Sequence, residues 1–410
     1  MSLLKLPLFI FELANNHQGD LNHGLRIIRE IYKVCKNFDF NFGFKLQYRN
    51  LDTFIHPDFR ERTEFKYVKR FLETRLNEEE FKILLEEIKN LGFLAVCTPF
   101  DEPSVDLVEK HNFDIIKIGS CSLTDWPLLE RIAKTDKPLI ISTAGAELEE
   151  IDKVVMFFEH REKVFALMHC VAEYPTSSEH LELNQIDLLK KRYPNVTIGY
   201  STHEDPDNFD AIKIAIAKGA EIFEKHVGIR TKKYPLNAYS ARPSQIEKWL
   251  KSAQEAFKIC GIKDKRYTFF EKEKKDLKEL KRGVFAKREI KKGEKLKINE
   301  NIFLAIPHTE GQILAYDLSK YNEFTVLRDI LNKEPILFKD VEVKNLRSRV
   351  LEIINKIRLI LVESRIVLPN KLEFELSHHY GIENFEKFGA ALINCINREY
   401  CKKIIILLPG

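Results

Sequence analysis

The sequence has no surplus of either charge. Lysine and arginine total 66 and aspartate and glutamate 62, a net charge of +4 over 410 residues. That balance gives no footing for nucleic-acid or membrane-surface binding, which call for a dense basic face. Apolar runs are short, and none reaches the roughly 20 residues a bilayer span needs. Cysteine is sparse and unpaired: Cys35, Cys97, Cys121, Cys170, Cys260, Cys395 and Cys401 include no CxxC spacing. This argues against a disulfide framework and for a reduced, cytoplasmic compartment. The opening MSLLKLPLFIFEL lacks the basic n-region and small-residue cleavage site of a leader, and it reads as a first strand. No internal repeat and no low-complexity segment is evident.

What is present is a rhythm. FIFELANNH carries Glu12 and His17; NFGFKLQ ends on Lys45 and Gln47; FLAVCTPF carries Thr98; DIIKIGS carries Lys117 and ends on Ser120. LIIST carries Ser142, VFALMHC His169, VTIGYSTH Ser201 and His203, and EIFEKH ends on His226. Each run is strand-like and an amphipathic helix follows. Eight such units predict an α/β protein built on a (β/α)8 TIM barrel, in which the scattered strand ends converge at one face. Helices are expected to begin near Glu79, Pro103, Trp126, Leu148, Leu183, Pro206 and Pro243, the last two prolines suiting a first helical turn. Arg49 to Arg75 is a polar and aromatic insertion on the side where loops shape a substrate site.

The expected domains are a barrel over 1–262, a charged linker over 263–281, a small β-rich domain over 282–343 and a C-terminal extension over 344–410. The small domain follows from short runs broken by KKGE and NEN turns. The extension begins with an amphipathic helix from Ser348 to Arg365. It ends in an apolar strand without a following partner and a Pro-Gly turn, as the start of a β domain cut short.

His203 and His226 end the seventh and eighth strands, which the closed barrel makes neighbours. Two neutral imidazoles at one rim are a candidate divalent-metal pair; the alternative is two hydrogen-bonded histidines without metal.

The ordered segments FELANNHQGDL, GFKLQ, CTPFDEPSVDLVE, IIKIGSCSLTDWPLLERIAKTDKPLIISTAGAELEEI, LMHCVAEYP, IGYSTH and IFEKHVGI together resemble the sialic acid synthase family. RGVFAKREIKKGEKL resembles the opening of that family's antifreeze-like (SAF) domain, and ELSHHYGIENFEKFGA the lead-in to a cupin domain. The resemblance covers roughly Leu8 to Val343. It implies condensation of phosphoenolpyruvate (PEP) with an N-acylated aldose, giving a 3-deoxy-2-ulosonic acid and phosphate. It further implies Mn2+ or Mg2+ at His203 and His226, acting on the sugar aldehyde, and a homodimer with domain exchange.

PEP carries a phosphate and a carboxylate, which call for cations and small hydroxyl donors. Lys45, Gln47, Thr98, Lys117, Ser120, Ser142 and Ser201 are the candidates to hold it. A ligand anion would neutralise the two lysines; alternatively Glu12 pairs with a neighbouring-strand lysine. Glu12, Lys45 and Lys117 are the candidate catalytic groups, and Tyr174 a sugar contact or a packed loop aromatic. Other functions for the same residues are a Schiff-base aldolase of the same fold and a PEP-binding homologue without turnover. The sequence departs from the family pattern on the sugar side. Ser122 stands where an acidic residue is usual, with Asp125 nearby. Leu236 and Asn237 replace an acidic contact, Ala172 a polar one, and Ile306 the SAF arginine. These changes point to a differently substituted acceptor.

Overall fold

The computed structural model describes residues 6–408 apart from 61, 320, 369–372, 398 and 400. Two compact units divide between Arg266 and Tyr267.

The first unit is a closed parallel barrel of eight strands in sequence order. They are β1 (Leu8–Glu12), β2 (Asn41–Tyr48), β3 (Leu94–Pro99), β4 (Ile115–Ile118), β5 (Leu139–Ser142), β6 (Phe165–Cys170), β7 (Thr197–Thr202) and β8 (Ile222–His226). The (β/α)8 expectation holds. Alternation decides which side chains face inward. Leu8, Ile10, Val96, Ile115, Ile140, Ala166, Met168 and Ile222 fill the lower interior as one apolar cluster. Phe9, Phe11, Phe44 and their outward neighbours pack under the helices in a larger one. The apolar plug supports the polar residues one layer higher, on the same inward faces.

Gly199 is part of that fit. A Cβ there would meet Met168 Sδ and stand 2.6 Å from the Ile222 carbonyl oxygen. Backbone in a closed barrel cannot move aside, and overpacking costs about 1–3 kcal/mol or more. We expect Gly199→Ala to lower the thermal midpoint by several degrees; an unchanged midpoint in calorimetry would contradict this packing.

One helix start is corrected. Pro206 does not open a helix; the helix runs Asp210–Ala217. Asp205 instead forms a turn, accepting from the amides of Asp207 and Asn208, and Asn208 Oδ1 accepts from Asp210 and Ala211. An Asx turn and a cap therefore occupy the residues that a proline-led start would have used. Pro243 does open its helix, Pro243–Cys260.

The second unit holds a helix, Glu271–Glu279, inside the stretch read as linker. Two antiparallel pairs follow, β9 (Gly283–Ala286) with β10 (Ile302–Ala305) and β11 (Asn322–Val326) with β12 (Val341–Asn345). Contrary to the expectation of no internal repeat, two turns match. Arg288 pairs with Glu294, which caps the Lys291 amide; Arg328 pairs with Glu334, which caps the Leu331 amide. Ile290 and Ile330 bridge the two copies. Only Arg, Glu and the isoleucine coincide, too few residues to show against their background.

The helix Arg347–Glu363 then precedes a three-stranded antiparallel sheet of β13 (Glu373–Ser377), β14 (Ala390–Asn397) and β15 (Cys401–Ile406). The final apolar strand, read as unpartnered, pairs with β14. The Pro-Gly turn at Pro409–Gly410 lies outside the described residues. No helix among the described residues is long and apolar enough to cross a membrane.

Candidate active site

The strand ends of the barrel carry a buried charge cluster. Register sets Glu12 directly beside Lys45 on one side and His226 on the other. Lys45 Nζ lies 2.8 Å from Glu12 Oε2 and 2.8 Å from Glu224 Oε1. Lys117 Nζ lies 2.9 Å from Glu224 Oε2, and Ser201 Oγ donates to Glu224 Oε1 at 3.0 Å. All five residues are buried.

This corrects the expected neutralisation of the lysines by a ligand alone. Lys45 has Glu12, as the alternative reading had it, and Glu224 bridges both lysines. The signal for Glu224 was present: it shares an inward face with Ile222 and His226 by simple alternation. Burial raises the Glu224 carboxyl, but Lys117 and Lys45 outweigh it and hold the group well below the ordinary carboxylate range. Burial lowers Lys45, yet Glu12 and Glu224 raise it above an ordinary lysine. Lys117 is lowered by burial, which Glu224 only partly offsets while the charge of Lys45 adds to it.

Around this cluster stand the hydroxyl residues. Thr98, Ser142 and Ser201 are buried on β3, β5 and β7, and Thr98 Oγ1 has no hydrogen-bond partner. Ser120 follows β4, and its Oγ accepts from the Ala144 amide at 3.1 Å. Gln47 joins through Glu12, donating Nε2 to Oε2 at 3.2 Å.

The two imidazoles meet as expected, with ring centroids 5.3 Å apart. His203 Nδ1 lies 2.9 Å from the Val171 carbonyl. A carbonyl only accepts, so Nδ1 carries the proton and Nε2 the lone pair, the arrangement usual for a metal-binding histidine. His226 Nδ1 is buried without a partner. Burial lowers His203 to about 4 and, with His203 beside it, puts His226 well below the ordinary histidine value. Both rings are therefore neutral at pH 7, as ligands must be.

A metal–nitrogen distance of about 2.1 Å puts the centroids of two rings sharing an ion roughly 5 Å apart, in keeping with the pair seen. The residues fit a divalent cation as a two-imidazole site. Among the described residues no group of three or more His, Cys, Asp or Glu is placed to hold a metal. Water and substrate are the natural source of further ligands.

Tyr174 stands 4.3 Å from His203, ring to ring. Tyr239, not singled out from the sequence, lies 5.1 Å from His226 and 5.2 Å from Tyr174. His169 points away from the interior, its Nε2 2.8 Å from the Leu181 carbonyl; Cys170 takes the inward position instead. Asp125 cannot stand in for the acidic residue missing at Ser122, because its carboxylate caps the helix Trp126–Ala133 by accepting from Leu128. Asn237 is engaged with Asn16, which also holds Val227 and Ser240.

The profile of the NeuB family matches residues 43–265. The chain belongs to the NeuB family. Among related solved structures, one from Chromobacterium violaceum, assigned to spore coat polysaccharide biosynthesis protein E, is 53% identical with a TM-score of 0.80. The match covers 82% of this chain and 99% of that one. An N-acetylneuraminic acid synthetase of Leptospira borgpetersenii is 29% identical with a TM-score of 0.58, over 67% of this chain and 92% of that one. The N-acetylneuraminate-9-phosphate synthase of Drosophila melanogaster is 30% identical over 62% of this chain and 68% of its own length. Within this NeuB barrel, Glu12, Lys45, Gln47, Thr98, Lys117, Ser142, Ser201 and His226 lie on the inward layer, and Ser120 and His203 follow it at the rim, whereas His169 faces outward and His17 lies in the turn after β1 against Phe81. Ile306 belongs to the second unit and is exposed.

Proposed function

We propose that this chain is a PEP-dependent 3-deoxy-2-ulosonic acid synthase that condenses PEP with an aldose and releases phosphate. The observation that carries the reading is the buried, charge-paired Lys45–Glu12–Glu224–Lys117 cluster, ringed by small hydroxyls and flanked by two neutral imidazoles. NeuB family membership supports it.

The phosphate and carboxylate of PEP would be held by Lys45, Lys117, Thr98, Ser120, Ser142 and Ser201, with Gln47 supporting. The lysines are already paired, so neutral hydroxyl donors carry more of the recognition than a bare cationic pocket would need. A divalent cation, Mn2+ or Mg2+, held by His203 and His226 would supply Lewis-acid polarisation of the aldehyde oxygen. C3 of PEP attacks the aldehyde carbon, forming the new carbon–carbon bond and an alkoxide, and C2 becomes oxocarbenium-like. Water adds at C2. Glu12 would take a proton from that water and pass it on to the alkoxide. The C2–O bond to phosphate then breaks as the C2 hydroxyl gives its proton to the departing phosphate, leaving the ketone. The lysines stabilise the departing phosphate. Tyr174 would face the sugar.

Lys45, held by two carboxylates and raised above an ordinary lysine, is unsuited to a Schiff base, which needs a neutral amine, and borohydride trapping decides for Lys117. The test is phosphate release from PEP with Mn2+ and a panel of N-acyl aldoses. Release should require both the cation and the sugar, and borohydride with a keto acid should trap no lysine. PEP binding without release for any aldose would sink the reading.

Lys117→Ala should weaken PEP binding more than sugar binding, by about tenfold or more, since a buried cation facing an anion is worth several kcal/mol. Unchanged PEP affinity in calorimetry would remove Lys117 from the site. The same proposal takes 282–343 as a SAF domain and the enzyme as a homodimer. A monomer at micromolar concentration in light scattering would contradict the latter.

A further inference from the structure

Four cationic side chains come from the barrel strands and the residue just after β2: Lys45, Lys117, Lys225 and Arg49. The first three each hold a carboxylate, Lys225 pairing with Glu204 at 2.9 Å. Arg49 has none within ion-pair distance among the described residues. The carboxylates around it are already used, Glu78 on the same cavity wall by Lys110 and His111. Glu12 is taken by Lys45, Gln47 and the Ala14 amide. Asp101 accepts from the Asn50 and Ser104 amides.

The guanidinium is held in one plane. Its carbon lies 3.6 Å from the centre of the Phe100 ring and 4.4 Å from that of Phe71. Nη2 donates to Gln47 Oε1 at 2.9 Å, which fixes the rotation, and Nε is buried without a partner. With aromatic rings on it, the group offers hydrogen bonds only along its edge. That is the geometry of in-plane recognition of a carboxylate or phosphate. Arg49 lines a cavity of about 300 Å³, together with Asn15, Gln47, Asn50, Thr74 and Asn77. The cavity joins the charge cluster through Gln47, which bonds both Arg49 and Glu12.

We propose that this cavity is an anion-binding subsite for the acceptor: Arg49 holds a carboxylate or phosphate ester on the sugar, away from its aldehyde. This deepens the synthase reading and rests on it. Position supports the acceptor rather than PEP as the ligand. Lys45 and Lys117 lie within the strand-end cluster among the hydroxyls, whereas Arg49 sits outside it in the insertion's cavity. The uncharged departure at Leu236 fits a sugar recognised from this side instead.

The test uses the full chain with Mn2+ and saturating PEP. The probes are mannose, its terminal phosphate ester and mannuronate, with Arg49→Gln and Arg49→Lys as variants whose folding is checked by thermal denaturation. The wild type should favour an acidic sugar over mannose by about 100-fold in kcat/KM, as a site built to pair a substrate group does. Arg49→Gln should collapse that ratio without changing the Kd of PEP, and Arg49→Lys should restore it only in part, because it keeps the charge and loses the fork. Whether the phosphate or the carboxylate is favoured names the source of the anion. A wild type indifferent to the acidic group, a ratio unchanged in Arg49→Gln, or a fall in PEP affinity instead would each overturn the proposal. If no sugar releases phosphate, the synthase reading fails on its own. Calorimetric binding of the two acidic sugars then decides the subsite: Arg49-dependent binding upholds it, and none overturns it.

Discussion

Glu224→Gln is expected to destabilise the barrel by about 3–5 kcal/mol at neutral pH, the usual cost of stranding a buried charge. Glu224 is the only carboxylate within ion-pair reach of Lys117 among the described residues and one of two that reach Lys45. The glutamine keeps the shape and removes the charge. Lys117 is then an unpaired ammonium in a closed interior, and Lys45 keeps Glu12 alone. The pH dependence separates this from a general packing defect. In the wild type the Glu224 carboxyl is depressed below its ordinary value of 4.5 by the lysines. Its contribution is therefore complete above that value and is lost as pH falls through the depressed folded value. In the variant the depressed group is Lys117, already lowered by burial. A lowered lysine gives stability that is recovered as pH rises, so the deficit of Glu224→Gln should shrink on the alkaline side. Adding Lys117→Met should return part of the loss, because an apolar replacement removes the stranded charge. Urea melts across pH would settle it. A Glu224→Gln deficit below about 1 kcal/mol, within the range of ordinary substitutions, would mean the cluster is not the electrostatic unit described.

Alternation and strand-end chemistry made the barrel and most of the site legible. Glu12, Lys45, Thr98, Lys117, Ser142, Ser201 and His226 each lie at the inward parity of their strands, and a period of two needs no tertiary knowledge. Glu224 obeys the same rule two residues before the end of β8, where burial on all sides hides a charge behind the His226 rim. Arg49 and Tyr239 were not legible. They lie in loops, where no period relates a residue to the interior, and their roles come from packing against Phe71 and Phe100 or against His226 and Tyr174. Pro206 misled because a proline suits both a first helical turn and a preceding turn, and the choice falls to Asp205 and Asn208. The partner of the final strand was hidden for a similar reason: β14 pairs with it across a register shift between Asn394 and Ile396.

His226→Ala and His203→Ala should each abolish cation-dependent phosphate release while leaving the barrel folded. Losing one of two protein ligands removes half of what the chain itself offers a metal, and even outer partners of such ligands are worth about 10–100-fold. The two variants should differ in stability. His226 Nδ1 has no protein partner, so its removal forfeits no hydrogen bond from that atom. His203 Nδ1 donates to the Val171 carbonyl and its ring packs on Tyr174, so the side chain anchors the loop that carries Tyr174. His203→Ala should therefore also raise the KM for the sugar, whereas His226→Ala should act mainly through the cation. The pH profile follows from burial. His203 is lowered to about 4 and His226 lies well below the usual histidine value. A lowered histidine contributes stability above its ordinary pKa of 6.5 and loses it as pH falls through the folded value. Protons should thus not compete with the cation at His203 until about pH 4, and Mn2+ affinity, read by calorimetry without substrate, should change little between neutrality and about pH 5. A steep loss of affinity near pH 6.5 would mean that exposed histidines bind the ion. Full activity of both variants after chelation and readdition of Mn2+ would remove the imidazole pair from the chemistry, and with it the polarised aldehyde on which the proposed condensation depends.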